Sequence, residues 1–191
     1  IVEYSDFQCP HCAHAAKTVE HVLKEYAGQV RLLFKHYPLS GHAQAENAAR
    51  WFEAASLQDT KKAWELHDRM FGDQESLKKD GVVWLRKVAA SLGLDVARME
   101  RDAGGEVVSQ RLAKDKAETD AFAVAGTPSF LINGVSLAGA VPFDEFAELV
   151  EQVAMSGRAP APGAGGSTPA VAGPALPGAS KAKRLCDNCT E

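Results

Sequence analysis

Nowhere in its 191 residues does the chain carry an apolar run approaching the roughly 20 residues that a membrane-spanning helix needs. It also lacks a strong excess of one charge. Its 25 acidic and 21 basic residues leave a net charge of −4, which gives no reason to expect nucleic acid or an anionic membrane surface as a partner. Cysteine is scarce, and the four that are present fall into two close pairs at opposite ends, Cys9 with Cys12 and Cys186 with Cys189. No initiator Met opens the chain, and Ile1 already stands inside a strand-like segment. A processed or excised fragment is therefore expected, and the missing leader says nothing about compartment. What is plentiful is ordinary: hydrophobic residues make up 46%, enough to build a core for one domain or a small two-part fold.

Cys9-Pro10-His11-Cys12 follows directly on Ile1-Val2-Glu3-Tyr4-Ser5-Asp6-Phe7. The β-branched and aromatic opening predicts a strand, and Ala13 to Tyr26 predicts a helix. Pro10 suits the first turn of that helix, where its missing N–H costs nothing. Cys9 then lies at the helix N-terminus, where unpaired N–H groups and the dipole favour a thiolate. An exposed Cys9 sulfur and a buried, less acidic Cys12 are expected. Two other uses of such a pair stand beside redox chemistry. Half of a zinc site would need further ligands; Cys186 and Cys189 are far off, leaving His11 and His14 as candidate donors. A structural bridge would restrain little unfolded chain in so small a ring.

The rest of the chain divides into a core, a helical block and a tail. Residues 30–37 predict a second strand, ended by Pro38 and the Ser40-Gly41 turn, so that strand, helix and strand form a parallel βαβ unit. From about His42 to Ala121 the spacing is helical. Its apolar faces carry Ala45, Ala48, Ala49, Phe52 and Ala55, then Ala63, Leu66, Met70 and Phe71, then Val83, Leu85, Val88, Ala89 and Leu92. A further helix starts near Leu94-Asp95, and Gly104-Gly105 precedes another over Val107 to Ala121. Trp51, Trp64, Trp84 and Met70 are expected in the core. Ser129 to Ile132 and Val135 to Ala138 flank an Asn133-Gly134 hairpin turn, and Pro142 opens a last helix through about Met155. The order predicts an α/β core with an inserted helical subdomain.

The sequence resembles the DsbA-like branch of the thioredoxin superfamily over roughly residues 1 to 156. Three features carry the likeness: Cys9-Pro10-His11-Cys12, the Gly126-Thr127-Pro128-Ser129-Phe130 segment before the third strand, and the helical insertion between the two halves. The resemblance implies a thioredoxin fold, with a core over 1–41 and 122–156 and an inserted helical subdomain over 42–121. It also implies a protein dithiol oxidase in which Cys9 and Cys12 form the redox disulfide, with no bound cofactor or metal. The Pro10-His11 dipeptide resembles the one in oxidising DsbA enzymes, and His11 could add positive charge or a donor that stabilises the Cys9 thiolate; the alternative is that His11 is only an exposed helix-start residue. Thr127-Pro128 would be a cis bond facing the cysteines, with the Thr127 backbone pairing with an extended substrate peptide. Thr127 stands where oxidising enzymes often carry Val, and it is similar to reductases and isomerases, so those activities stand as the alternative, as does a non-catalytic peptide- or metal-binding module. Glu3 resembles the family's acidic residue that accepts or relays the Cys12 proton, with Lys35 as its expected partner; the alternative is that both are ordinary strand charges. His36 and His42 are expected to pack or face water, while Asp6 and Gln8 border the motif and are candidates for shaping substrate access.

The implied partners are thiol- or disulfide-containing proteins and a membrane quinone-linked reoxidation protein of the DsbB or vitamin-K-epoxide-reductase type. The implied location is periplasmic or otherwise extracytoplasmic. Residues 157–191 change character: Ala159 to Ser180 is rich in Ala, Pro and Gly, a composition typical of flexible linkers, and it leads to Lys181-Ala182-Lys183-Arg184 and then Cys186-Asp187-Asn188-Cys189. That second pair is open to three readings: the edge of a further module, a tethered shuttle dithiol, or a metal-binding hook.

Overall fold

The computed structural model describes residues 1–156; the Ala/Pro/Gly-rich tail with Cys186 and Cys189 lies outside the described residues. Strand β1 (Val2–Ser5) leads into helix α1 (Pro10–Glu25) and strand β2 (Leu33–His36). Five helices follow: α2 (Ala45–Ser56), α3 (Thr60–Gly72), α4 (Gln74–Ser91), α5 (Val96–Ala103) and α6 (Glu106–Ala121). Strands β3 (Ser129–Ile132) and β4 (Val135–Ala138) and helix α7 (Phe143–Met155) complete the order. The sheet runs β2-β1-β3-β4, with β1 parallel to β2 and antiparallel to β3.

The predicted second strand is shorter than the apolar run that encodes it. Each of the four residues of β1 pairs with one of β2, from Val2 with Leu33 to Ser5 with His36, so β2 is as long as its partner allows. At the β3–β4 hairpin, Asn133 (φ 46°) and Gly134 (φ 87°) both take the left-handed conformation that a two-residue turn of this hand requires.

Two apolar clusters hold the molecule together. One joins α1, β3, β4 and α7 through Val19, Val22, Phe130, Ile132, Leu137, Phe146 and Val150. The other lies among the inserted helices, built on Ala48, Leu66, Met70, Leu77, Leu85 and Met99, and Phe7 and Phe34 of the sheet side join it. Phe7 stacks against Phe34 with ring centroids 5.2 Å apart and meets Phe71 at 5.0 Å, so aromatic packing welds the helical block to the strand that leads into Cys9. Helix caps follow the sequence: Asp59, Asp73 and Asp95 each accept backbone N–H groups of the helix that follows. Helix α4 is kinked at Gly81 (φ 50°), where a Cβ would come within 2.6 Å of Gln44 Oε1. Trp51 is buried as expected, but Trp64 and Trp84 are only half-buried. Val83, expected on an inward face, is 56% exposed, because two residues along a helix turn it about 200° from the buried Leu85.

Candidate active site

Cys9 is the residue that precedes α1, in extended conformation, with Pro10 in the first turn. Its carbonyl accepts the N–H groups of Cys12 (3.1 Å) and Ala13 (3.2 Å), so the CxxC segment forms the opening turn of the helix, and the Cys9 side chain sits where the helix N–H groups point. Pro10 is exposed and His11 is half-buried. Cys9 and Cys12 are both buried and are not joined by a disulfide. The Cys9 Sγ lies 3.6 Å from the carbonyl oxygen of Thr127, and the Thr127-Pro128 bond is cis. Residues 118 positions apart in sequence thus meet at one sulfur.

The expectation of an exposed Cys9 is overturned. Its residue exposure is 0%, the same as that of Cys12; Leu39 from the β2–α2 loop and Phe71 from α3 pack against the pair, and the Thr127 carbonyl lies on the Cys9 sulfur. Burial and the neighbouring Cys9 push the Cys12 thiol well above the ordinary range, and smaller contributions from Ser5 and Thr127 pull the other way. Cys12 is accordingly the less acidic thiol that its place inside the helix predicts.

Glu3 is 1% exposed, and burial pushes its carboxyl up to about 7 against a smaller opposing influence of Ser5. Ser5 is two residues along β1 and therefore on the same face. Its hydroxyl influences both Glu3 and Cys12, although neither that oxygen nor Glu3 Oε1 closes a hydrogen bond of ordinary geometry. Glu3 also lines an open cavity of about 190 Å³ between α1 and α3, walled by Ala16, Val19, Leu23, Trp64 and His67.

Lys35 does not partner Glu3. The register places Phe34 beside Glu3 and Lys35 beside Tyr4, and successive strand residues face opposite sides. Lys35 Nζ instead binds Asp115 (2.9 Å) and Glu118 (3.0 Å) of α6. His36 packs as expected: its Nε2 is 3.1 Å from Glu53 Oε1, and its ring meets those of Phe7, Phe34 and Phe52.

Of the residues bordering the thiols, Gln74 was not singled out by the sequence, and the bond between Asp6 and His42 was not foreseen. Gln74, the first residue of α4, donates through Nε2 to the carbonyls of Phe7 (2.8 Å) and Cys9 (3.0 Å). The Asp6 side chain is fully buried and accepts from Gln8 N (2.7 Å), Leu39 N (2.8 Å) and His42 Nδ1 (2.8 Å). His42, expected merely to pack or face water, is thus bound to the loop beside Cys9. The signal available was slight: an Asp three residues before a helix start reads as turn chemistry, and nothing marks Gln74. Among the described residues no three His, Cys, Asp or Glu side chains gather as a metal site.

Residues 1–152 match a family model described as Thioredoxin. The chain belongs to the thioredoxin family. Among solved structures it is similar to a thioredoxin-like oxidoreductase from Silicibacter pomeroyi DSS-3, at 24% identity and a TM-score of 0.69 over 81% of this chain and 85% of that one. It is also similar to the thiol-disulfide exchange protein alpha-DsbA2 from Wolbachia pipientis, at 17% identity and a TM-score of 0.67 over 80% of each chain. These likenesses show the fold. By sequence it is 35% identical over 135 residues to the Na(+)/H(+) antiporter NhaA 3 of Salinispora tropica, covering 70% of this chain but 20% of that protein. The chain spans about a fifth of the length of the curated relatives it matches, and no described helix is long and apolar enough to cross a membrane.

Proposed function

We propose that the chain is a DsbA-like thiol–disulfide oxidoreductase that works through a Cys9–Cys12 disulfide, running in the direction of a dithiol oxidase on exported proteins. The observation that carries this reading is the meeting of the Cys9 sulfur with the Thr127 carbonyl at the N-terminus of α1, above a Cys12 of raised pKa. Helix-terminal N–H groups favour negative charge on the Cys9 sulfur, while burial together with the neighbouring Cys9 disfavours it on Cys12.

In the oxidised enzyme a substrate thiolate attacks Cys9 Sγ, the Cys9–Cys12 bond breaks, and Cys12 leaves as a thiolate. Its high proton affinity draws a proton from protonated Glu3 by way of Ser5, and the cavity beside Glu3 gives the exchanged proton a path to water. A second substrate thiolate then attacks the substrate sulfur of the mixed disulfide and releases Cys9 as a thiolate. Two substrate thiols have lost two electrons, and the enzyme holds them as its dithiol. The backbone of Thr127, beside Pro128, would pair with the extended substrate, and His11 would add charge or a donor near the Cys9 sulfur.

No bound cofactor is required by this scheme, but an oxidase must be reoxidised. A membrane quinone-linked protein of the DsbB or vitamin-K-epoxide-reductase type would serve, in an extracytoplasmic compartment. Thr127 in place of Val favours a second reading, a reductase or isomerase with the same steps reversed.

Titrating the Cys9–Cys12 couple against glutathione, followed on the peptide that contains both residues, decides the direction. A potential at or above that of protein disulfide isomerase, about −180 mV, is expected. A value near that of thioredoxin, about −270 mV, defeats the oxidase reading.

A further inference from the structure

A sulfur with no exposed surface is closed to in-line attack, so the exchange reaction proposed above needs something over Cys9 to move. The two apolar side chains packed against the pair differ in how they are held. Phe71 belongs to helix α3, and its ring is packed against those of Phe7 (5.0 Å) and His67 (4.9 Å). Leu39 belongs to the segment between β2 and α2, residues 37–44, which has neither helix nor strand.

That segment is tied to the turn before Cys9 at three points. Asp6 Oδ2 accepts from Leu39 N and from His42 Nδ1, and Gln8 Oε1 accepts from Gln44 N. The same Asp6 shapes the Cys9 turn, since Oδ1 takes the N–H of Gln8 and the backbone carbonyl takes the N–H of Cys9 (3.1 Å). A buried carboxylate is costly unless donors surround it, and three do so here. As the carboxylate only accepts, the His42 Nδ1 carries the hydrogen.

The geometry points to Asp6 as a positioning residue whose carboxylate latches the Leu39 segment shut over Cys9, so that release of this latch admits the substrate thiol. One side chain then sets both the presentation of the nucleophilic position and access to it. Phe71 forms the fixed wall, and Leu39 is the part that opens.

The test is the rate at which iodoacetamide alkylates Cys9 in the reduced full chain, read by mass on the Cys9 peptide so that Cys186 and Cys189 do not interfere. Leu39→Ala keeps all three latch bonds but removes the cover, and it should speed alkylation about tenfold, equivalent to about 1.4 kcal/mol of protection. Asp6→Asn and His42→Ala should each speed it too, by loosening the segment. A purely structural role for Asp6 would add its effect to that of Leu39→Ala; a latch acting through Leu39 predicts that Asp6→Asn adds little once the Leu39 side chain is gone.

Unchanged rates in all three single variants overturn the proposal, as does an additive double variant. The readout needs no redox partner and no substrate. The glutathione titration can therefore fail while the latch stands, and the latch can fail while the measured potential still marks an oxidase.

Discussion

Glu3→Gln isolates the energetic effect of a buried acid. Burial raises the Glu3 carboxyl from 4.5 to about 7. In the window between those values the folded state binds a proton that the unfolded chain has released, so stability falls as pH rises through it and is level on either side. At about 1.36 kcal/mol per pH unit, the ionised carboxylate costs the fold about 3 kcal/mol once the pH exceeds 7. Gln is neutral throughout, and whatever its amide does to packing it does equally at every pH. Urea unfolding of the reduced protein and of the Gln variant at pH 4 and pH 8 should therefore show the variant gaining about 3 kcal/mol on the wild type between the two conditions, equivalent to a rise of about 10 °C in relative Tm. A difference that stays constant to within about 1 kcal/mol would mean that cavity water solvates the carboxylate, and Glu3 would then be no proton store for Cys12.

Glu53 should behave in the opposite sense. Burial pushes its carboxyl up, but hydrogen bonds and charge from His36 and Arg111 outweigh this and hold it at about 2. The stability it contributes is present above 4.5 and lost as pH falls towards 2, so Glu53→Gln should flatten the acid limb of the unfolding profile. Lys35→Met strands the buried Asp115 beside Glu118 and should cost about 3 kcal/mol in urea unfolding; the same variant should leave the Cys9–Cys12 potential unmoved, and a shifted potential would restore Lys35 to the site. Cys12→Ser should accumulate a mixed disulfide between Cys9 and a model substrate peptide, visible by mass, whereas Cys9→Ser should form none; equal trapping by both variants would contradict the assignment of Cys9 as the attacked sulfur.

Much of the fold was legible because its signals are local. The strand–helix–strand opening, the Asn133-Gly134 turn and the Pro142 helix start each depend on a few adjacent residues. An α/β core with inserted helices follows from those pieces, and the thioredoxin fold from the resemblance carried by Cys9-Pro10-His11-Cys12, the Gly126–Phe130 segment and the insertion. What escaped depends on register or on distant packing. Lys35 looked like a partner for Glu3 because both are charges on neighbouring strands, yet the one-residue register that sets Phe34 beside Glu3 turns Lys35 to the other face. The burial of Cys9 escaped because its cover, Leu39 and Phe71, reads as ordinary apolar sequence. Asp6 and His42 are separated by 36 positions, and only the parallel pairing of β1 with β2 brings their loops together.

The 118-residue separation between Cys9 and Thr127 also sets an order of events during synthesis. Both N-terminal thiols leave the ribosome long before the strand that follows Pro128 can join β1 and complete their surroundings. For that interval the pair is an unguarded reactant, open to oxidants and to the thiols of neighbouring nascent chains. The cis-proline segment and the strand behind it arrive only with the last fifth of the described residues.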